Sequence, residues 1–139
     1  MEVTKTAAIA GMEISEIESR IDEKQLKQLM EKIRRAKKIY VCGAGRSLLM
    51  LRCFAMRLMH VGYDAYVVGD TTTPAFEEGD LLIVGTASGE TTNLISIADR
   101  AKSYGGTIAV CSIFPESSLG KRADAFVRIP AYTDKLPES

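Results

Sequence analysis

Two hydrophobic periods alternate along the chain. Over residues 5–20, Ile9, Met12, Ile14 and Ile17 stand among polar positions, which predicts an amphipathic helix. Asp22 then stands as an N-cap, with Gln25 three residues on as its capping-box partner, and Leu26, Leu29, Met30 and Ile33 follow at helical spacing. Short apolar runs predict strands at 38–42, 65–68, 81–84, 107–111 and 125–129. Helical spacing returns between them. One helix runs from Ser47 to Val61 with Leu48, Leu51, Ala55, Leu58 and Met59 inward, and Gly62 ends it. Another runs from Thr91 to Tyr104 with Leu94, Ile95, Ala98 and Ala101 inward, stopped by Gly105-Gly106. A short turn or helix falls at 117–122, and the linker at 71–76 leaves room for a helix of a turn or two.

Continuous apolar runs such as Leu81–Val84 suit strands buried on both faces. Strands alternating with helices predict an α/β fold: a three-layer sandwich around a five-stranded parallel sheet. The expected organisation is a helical arm at 1–36, an α/β domain at 37–130 and a polar tail at 131–139. No helix follows the fifth strand, so one face of it is expected to lie uncovered. The chain then reads as truncated, or as covered by a partner. The apolar arm must also cover something, either its own sheet or a neighbouring subunit. Both features predict a homo-oligomer, a dimer or a tetramer.

Composition narrows the function. The 139 residues fit one domain, 46% apolar and 26% charged. Eighteen basic and eighteen acidic residues give no net charge, which argues against nucleic acid or a membrane surface as a partner. The basic run 32–38 sits at a predicted helix end, where cations suit the helix dipole. No apolar run reaches membrane-spanning length. Cys42, Cys53 and Cys111 form no CxxC pair and read as reduced, buried thiols, so a cytoplasmic protein is expected.

The chemistry lies in two loops. Gly43-Ala44-Gly45-Arg46-Ser47 follows the first strand, and Thr86-Ala87-Ser88-Gly89-Glu90-Thr91 follows the third. At one end of a parallel sheet, their N–H groups and hydroxyls would form a phosphate cup. Gly43-Ala44-Gly45 also begins like a dinucleotide fingerprint, but Leu48 stands at its third glycine position, and Asp70 lies beyond the second strand rather than at its end. No GxxxxGK[ST] run occurs. Ser47 and Thr91 also read as plain N-caps, and Arg46 as a surface cation. Glu90 reads as a helix-start or hydrogen-bonding residue. His60, the one histidine, sits at a helix end that suits its charge, or else reaches a neighbouring subunit's site as an acid/base.

These two loops resemble the sugar isomerase (SIS) domain family. Within it, the segment Arg52–Gly62 and the run Val68-Gly69-Asp70-Thr71-Thr72-Thr73-Pro74 resemble the 6-phospho-3-hexuloisomerases. The resemblance covers about residues 20–130. It implies a flavodoxin-like fold, an oligomer, and cofactor-free interconversion of 3-hexulose 6-phosphate and fructose 6-phosphate through an enediol, with no metal. Carried over residue by residue, Ser47, Thr86, Ser88 and Thr91 would hold the phosphate. Gly45, Arg46, Ala87 and Gly89 would contact the rest of the substrate. The base usual in the family is a glutamate after the fifth strand, and this chain offers none there. Glu138 is not assigned the role. A non-catalytic phosphosugar-binding or regulatory module is the alternative reading.

Overall fold

The computed structural model describes residues 2–132. The polar tail from residue 133 on, Glu138 included, lies outside the described residues.

Five parallel strands form the sheet: β1 (Ile39–Gly43), β2 (Ala65–Val67), β3 (Leu81–Gly85), β4 (Thr107–Ser112) and β5 (Ala125–Arg128), in the order β2-β1-β3-β4-β5. The helices are α1 (Val3–Ser19), α2 (Glu23–Arg35), α3 (Gly45–His60), α4 (Thr92–Ser103) and α5 (Ser118–Arg122). Alternate strand residues enter opposite layers. Ile39, Val41, Leu81, Ile83, Ala109 and Ala125 pack with Ile33 of α2 and with Ala55 and Leu58 of α3. Tyr40, Cys42, Leu82, Val84, Ile108 and Val110 pack with Leu94, Ala98 and Ala101 of α4 and Leu119 of α5. The expected three-layer α/β sandwich is therefore present.

Several local expectations change. The fifth strand is not left bare. The amphipathic α2 lies across β5 and β4, and its Gln25 Oε1 accepts the Arg128 N–H at 2.8 Å. That side chain serves β5 rather than closing a capping box. Asp22 is the N-cap, its Oδ1 accepting from Lys24 N and Gln25 N. Only α1 stands off the sandwich, with no buried residue. On α3, Met59 and Cys53 face outward, because the buried stripe is set by Ala55 and Leu58.

No helix forms at 71–76. Side chains beneath the linker hold it down instead. The buried Tyr40 hydroxyl lies 3.0 Å from Pro74 O and 3.1 Å from Ala75 O. Phe76 packs tilted against the Tyr40 ring, centroids 5.1 Å apart, and fills the space over Gly106. Asp80, fully buried, accepts N–H groups from Lys38 (3.1 Å) and Glu77 (2.8 Å) and pairs with Lys38 Nζ at 3.4 Å.

Candidate functional site at the switch point of the sheet

From β1 the chain leaves into α3 on one face of the sheet, and from β3 it leaves into α4 on the other. The two loops therefore diverge at the carboxyl ends of adjacent strands, the switch point where open α/β sheets hold ligands. A cavity of about 620 Å³ opens there. Ala44, Gly45, Arg46 and Ser47 line one wall, and Thr86, Ala87, Ser88 and Thr91 the other, with Tyr132 at the margin. An apolar lobe continues past Ser47 and Thr86 toward Met50, Leu51, Ile113 and Ile129.

Helix ends supply the positive potential. The cap side chains of α2 and α5 bond their own first turns, Asp22 to Lys24 N and Gln25 N and Ser117 to Gly120 N. The two helices that open on the cavity, like the outlying α1, have no such bond. Ala44 caps α3 without a side-chain bond, and Thr91 stands at the N-cap of α4 without one. The N-cap reading of Ser47 therefore fails, since it is the third residue of α3, while Thr91 is the N-cap of α4 as read but makes no side-chain bond to its first turn. Two first turns of N–H donors converge on one space, the arrangement that attracts an anion. Gly45 starts α3 at φ +56, a left-handed conformation that glycine adopts without strain.

The second loop is held from behind. Ala87 O accepts Ser112 Oγ (3.1 Å) and Ile113 N (3.3 Å), and Gly89 O accepts Leu119 N (3.0 Å). The loop's own hydroxyls shape it further: Thr86 Oγ1 accepts Gly89 N–H at 3.2 Å, and Ser88 Oγ accepts Glu90 N–H at 3.1 Å. Each hydroxyl keeps its proton for a further acceptor. Gly89, expected to face the ligand, is buried at φ +74 outside the cavity lining, with its Cα against Ser117. Glu90 accepts both Ser118 N and Ser118 Oγ, which draws its carboxyl below the ordinary range. Ser112, Ser117, Ser118 and Tyr132 were not singled out from the sequence. The signal for Ser117 was its place ahead of a short helix, a capping position.

His60 does not join the cup. It is the exposed last residue of α3. Fifteen steps of about 1.5 Å put it about 22 Å along the helix from Gly45. Asp70 is paired with Arg52 at 3.0 Å. Burial pushes the Cys42 thiol up to about 12 and Cys111 up to about 11, so both stay protonated. Among the described residues, the cavity lining holds no carboxylate or histidine, and no group of three or more metal-ligating side chains occurs.

Residues 32–136 match the SIS domain family. A Bacillus subtilis relative named 3-hexulose-6-phosphate isomerase is 45% identical over 94% of this chain and 70% of its own length. A Mycobacterium gastri relative of the same name is 42% identical over 94% of this chain and 65% of its own length. A solved Methanococcus jannaschii protein, whose crystal structure infers a molecular function of 3-hexulose-6-phosphate isomerase, superposes with a TM-score of 0.75 at 38% identity, covering 81% of this chain and 63% of that one. This chain thus spans about two thirds of the length of such relatives. With its switch-point cup and these relatives, the chain belongs to the SIS domain family.

Proposed function

We propose that the protein is a phosphosugar isomerase interconverting 3-hexulose 6-phosphate and fructose 6-phosphate, as its relatives' names indicate. The observation that carries the reading is the pair of helix N-termini, uncapped by their own side chains, that open on one hydroxyl-lined cavity. A phosphate there would accept N–H groups from α3 and α4 and the hydroxyls of Ser47, Thr86, Ser88 and Thr91. Arg46 would add charge, and Gly45 and Ala87 backbone contacts. The remote phosphate would then fix the reacting carbons.

The reaction removes the C2 proton of the 3-ketose, forms a 2,3-enediol and returns a proton to C3. The C3 carbonyl becomes a hydroxyl and the C2 hydroxyl a carbonyl. The acid/base must come from outside the described cavity lining. His60 of a second subunit is the candidate we assign, which requires the homo-oligomer. No cofactor or metal takes part, and the working compartment is the cytoplasm.

Fructose 6-phosphate in heavy water tests this. The isomerase should exchange the C3 hydrogen for deuterium and leave both C1 hydrogens in place. Thermal stabilisation by fructose 6-phosphate without exchange would instead assign a non-catalytic binding module. The absence of both exchange and stabilisation would overturn the cup as a phosphate site.

A further inference from the structure

Helix α1 carries Val3, Ala7, Ala10, Ile14 and Ile17 at intervals of four, three, four and three residues. That is a heptad stripe, with small residues at its centre. All but the half-buried Ile17 are exposed. Helix α3 carries a matching stripe on its outer face: Leu49, Cys53 and Met56, at intervals of four and three. Leu49 and Met56 are each 57% exposed, and Met50 beside them 65%. A monomer thus leaves two apolar helix faces of the same period in water.

Charge indicates how they pair. Helix α3 contains Arg46, Arg52 and Arg57 and no acidic residue. Helix α1 contains Glu13, Glu16 and Glu18 against Lys5 alone. Pairing α3 with another α3 sets arginines against arginines, and pairing α1 with α1 sets glutamates against glutamates. Only the cross-pairing joins opposite charges. Among the described residues, Arg57, Glu13, Glu16 and Glu18 form no ion pair within the chain. Within one copy the two helices are set apart: α1 leads off from α2, which covers β5 and β4, while α3 covers β1 and β2 toward the opposite edge of the sheet.

We infer that α1 of one copy docks lengthwise on the outer face of α3 of a second copy. The inference rests on the self-association proposed above and names the surfaces that carry it. It also attaches the partner to the helix whose first turn forms a wall of the cup.

Cys53 provides the test. In an Ala10→Cys variant, a short bismaleimide should link the introduced thiol to Cys53 of another copy and give a covalent dimer on a denaturing gel. Adding Cys53→Ser should abolish that dimer, and the unmodified chain should give none. A link within one chain, or a Cys53–Cys53 dimer in the unmodified chain, overturns the docking. Sedimentation supplies the second reading: Ile14→Asp should weaken self-association at least tenfold at unchanged helicity. An unchanged mass overturns the docking. An unmodified chain that sediments as a monomer removes both this inference and the proposed oligomer. An oligomer in which the Ala10→Cys variant gives no link to Cys53 removes the docking alone.

Discussion

Glu90 grips Ser118 with both carboxylate oxygens, Oε1 accepting the backbone N–H at 2.7 Å and Oε2 the hydroxyl at 2.6 Å. The loop after β3 is thereby tied to the start of α5. The side-chain and backbone bonds from Ser118, helped by Lys121 and Arg122, hold the Glu90 carboxyl below its ordinary range. A depressed carboxyl stabilises the fold above its unfolded-state range, and that stability is lost as pH falls through the folded value. Glu90→Gln is therefore expected to melt below the unmodified protein at neutral pH, with the gap closing as pH falls below the ordinary carboxylate range. Melting curves across that range check it, and a constant gap would refute it.

The two walls of the cup should separate under mutation. Among the described residues, the Ser47 hydroxyl makes no hydrogen bond, whereas Thr86 Oγ1 already accepts Gly89 N–H. Ser47→Ala should leave the ligand-free melting temperature in place and weaken fructose 6-phosphate binding roughly tenfold or more, since a hydrogen bond to a charged group is worth about 1.5–3 kcal/mol. Thr86→Val should weaken binding and also lower ligand-free stability, because it removes the acceptor that closes the loop. Calorimetric titration beside thermal melts measures both quantities.

The parts of this fold that follow a single local period were readable from residues alone. Leu81–Val84 is apolar throughout because both faces of β3 are covered, and Leu94, Ala98 and Ala101 recur with the turn of α4. The two loops were readable because glycines and hydroxyls cluster there between apolar runs. What escaped depended on partners distant in sequence. Gln25 bonds Arg128 across the chain, and no local rule links them. The linker at 71–76 stays non-helical because Tyr40 holds the Pro74 and Ala75 carbonyls, a bond formed only once β1 is in the sheet. Cys53 and Met59 are apolar yet face water, so composition placed them inward while the structure leaves them for another surface. Gly89 looked like a ligand-facing glycine; its reason is Ser117, 28 residues away in sequence.

Gly45 and Gly89 both sit at positive φ, but for different surroundings. A Cβ on Gly45 meets nothing within 4 Å, whereas on Gly89 it overlaps Ser117 Oγ and Cβ. Gly45→Ala should therefore cost only the left-handed strain, about 1–2 kcal/mol. Gly89→Ala should cost about 1–3 kcal/mol more, from overpacking against α5. Urea denaturation of the two variants ranks them, and equal losses would contradict the contact.

Asp80 tests the other end of the sheet. Its carboxylate has no exposed side-chain surface, and it satisfies the N–H groups of Lys38 and Glu77 while pairing with Lys38 Nζ. Lys38 is itself only 19% exposed at its side chain, so water screens the pair weakly. Removing the carboxylate leaves two backbone donors without their acceptor, while Lys38 Nζ keeps Ala75 O and Glu77. Asp80→Ala should destabilise the fold by about 1–3 kcal/mol for each donor left unsatisfied. Asp80→Asn keeps one oxygen as an acceptor and should lose less. Because this cluster lies at the amino-terminal ends of β1 and β3, remote from the cup, fructose 6-phosphate affinity measured on the folded fraction of Asp80→Asn should be unchanged. A matching fall in affinity would show that the linker and the cup are coupled through β1.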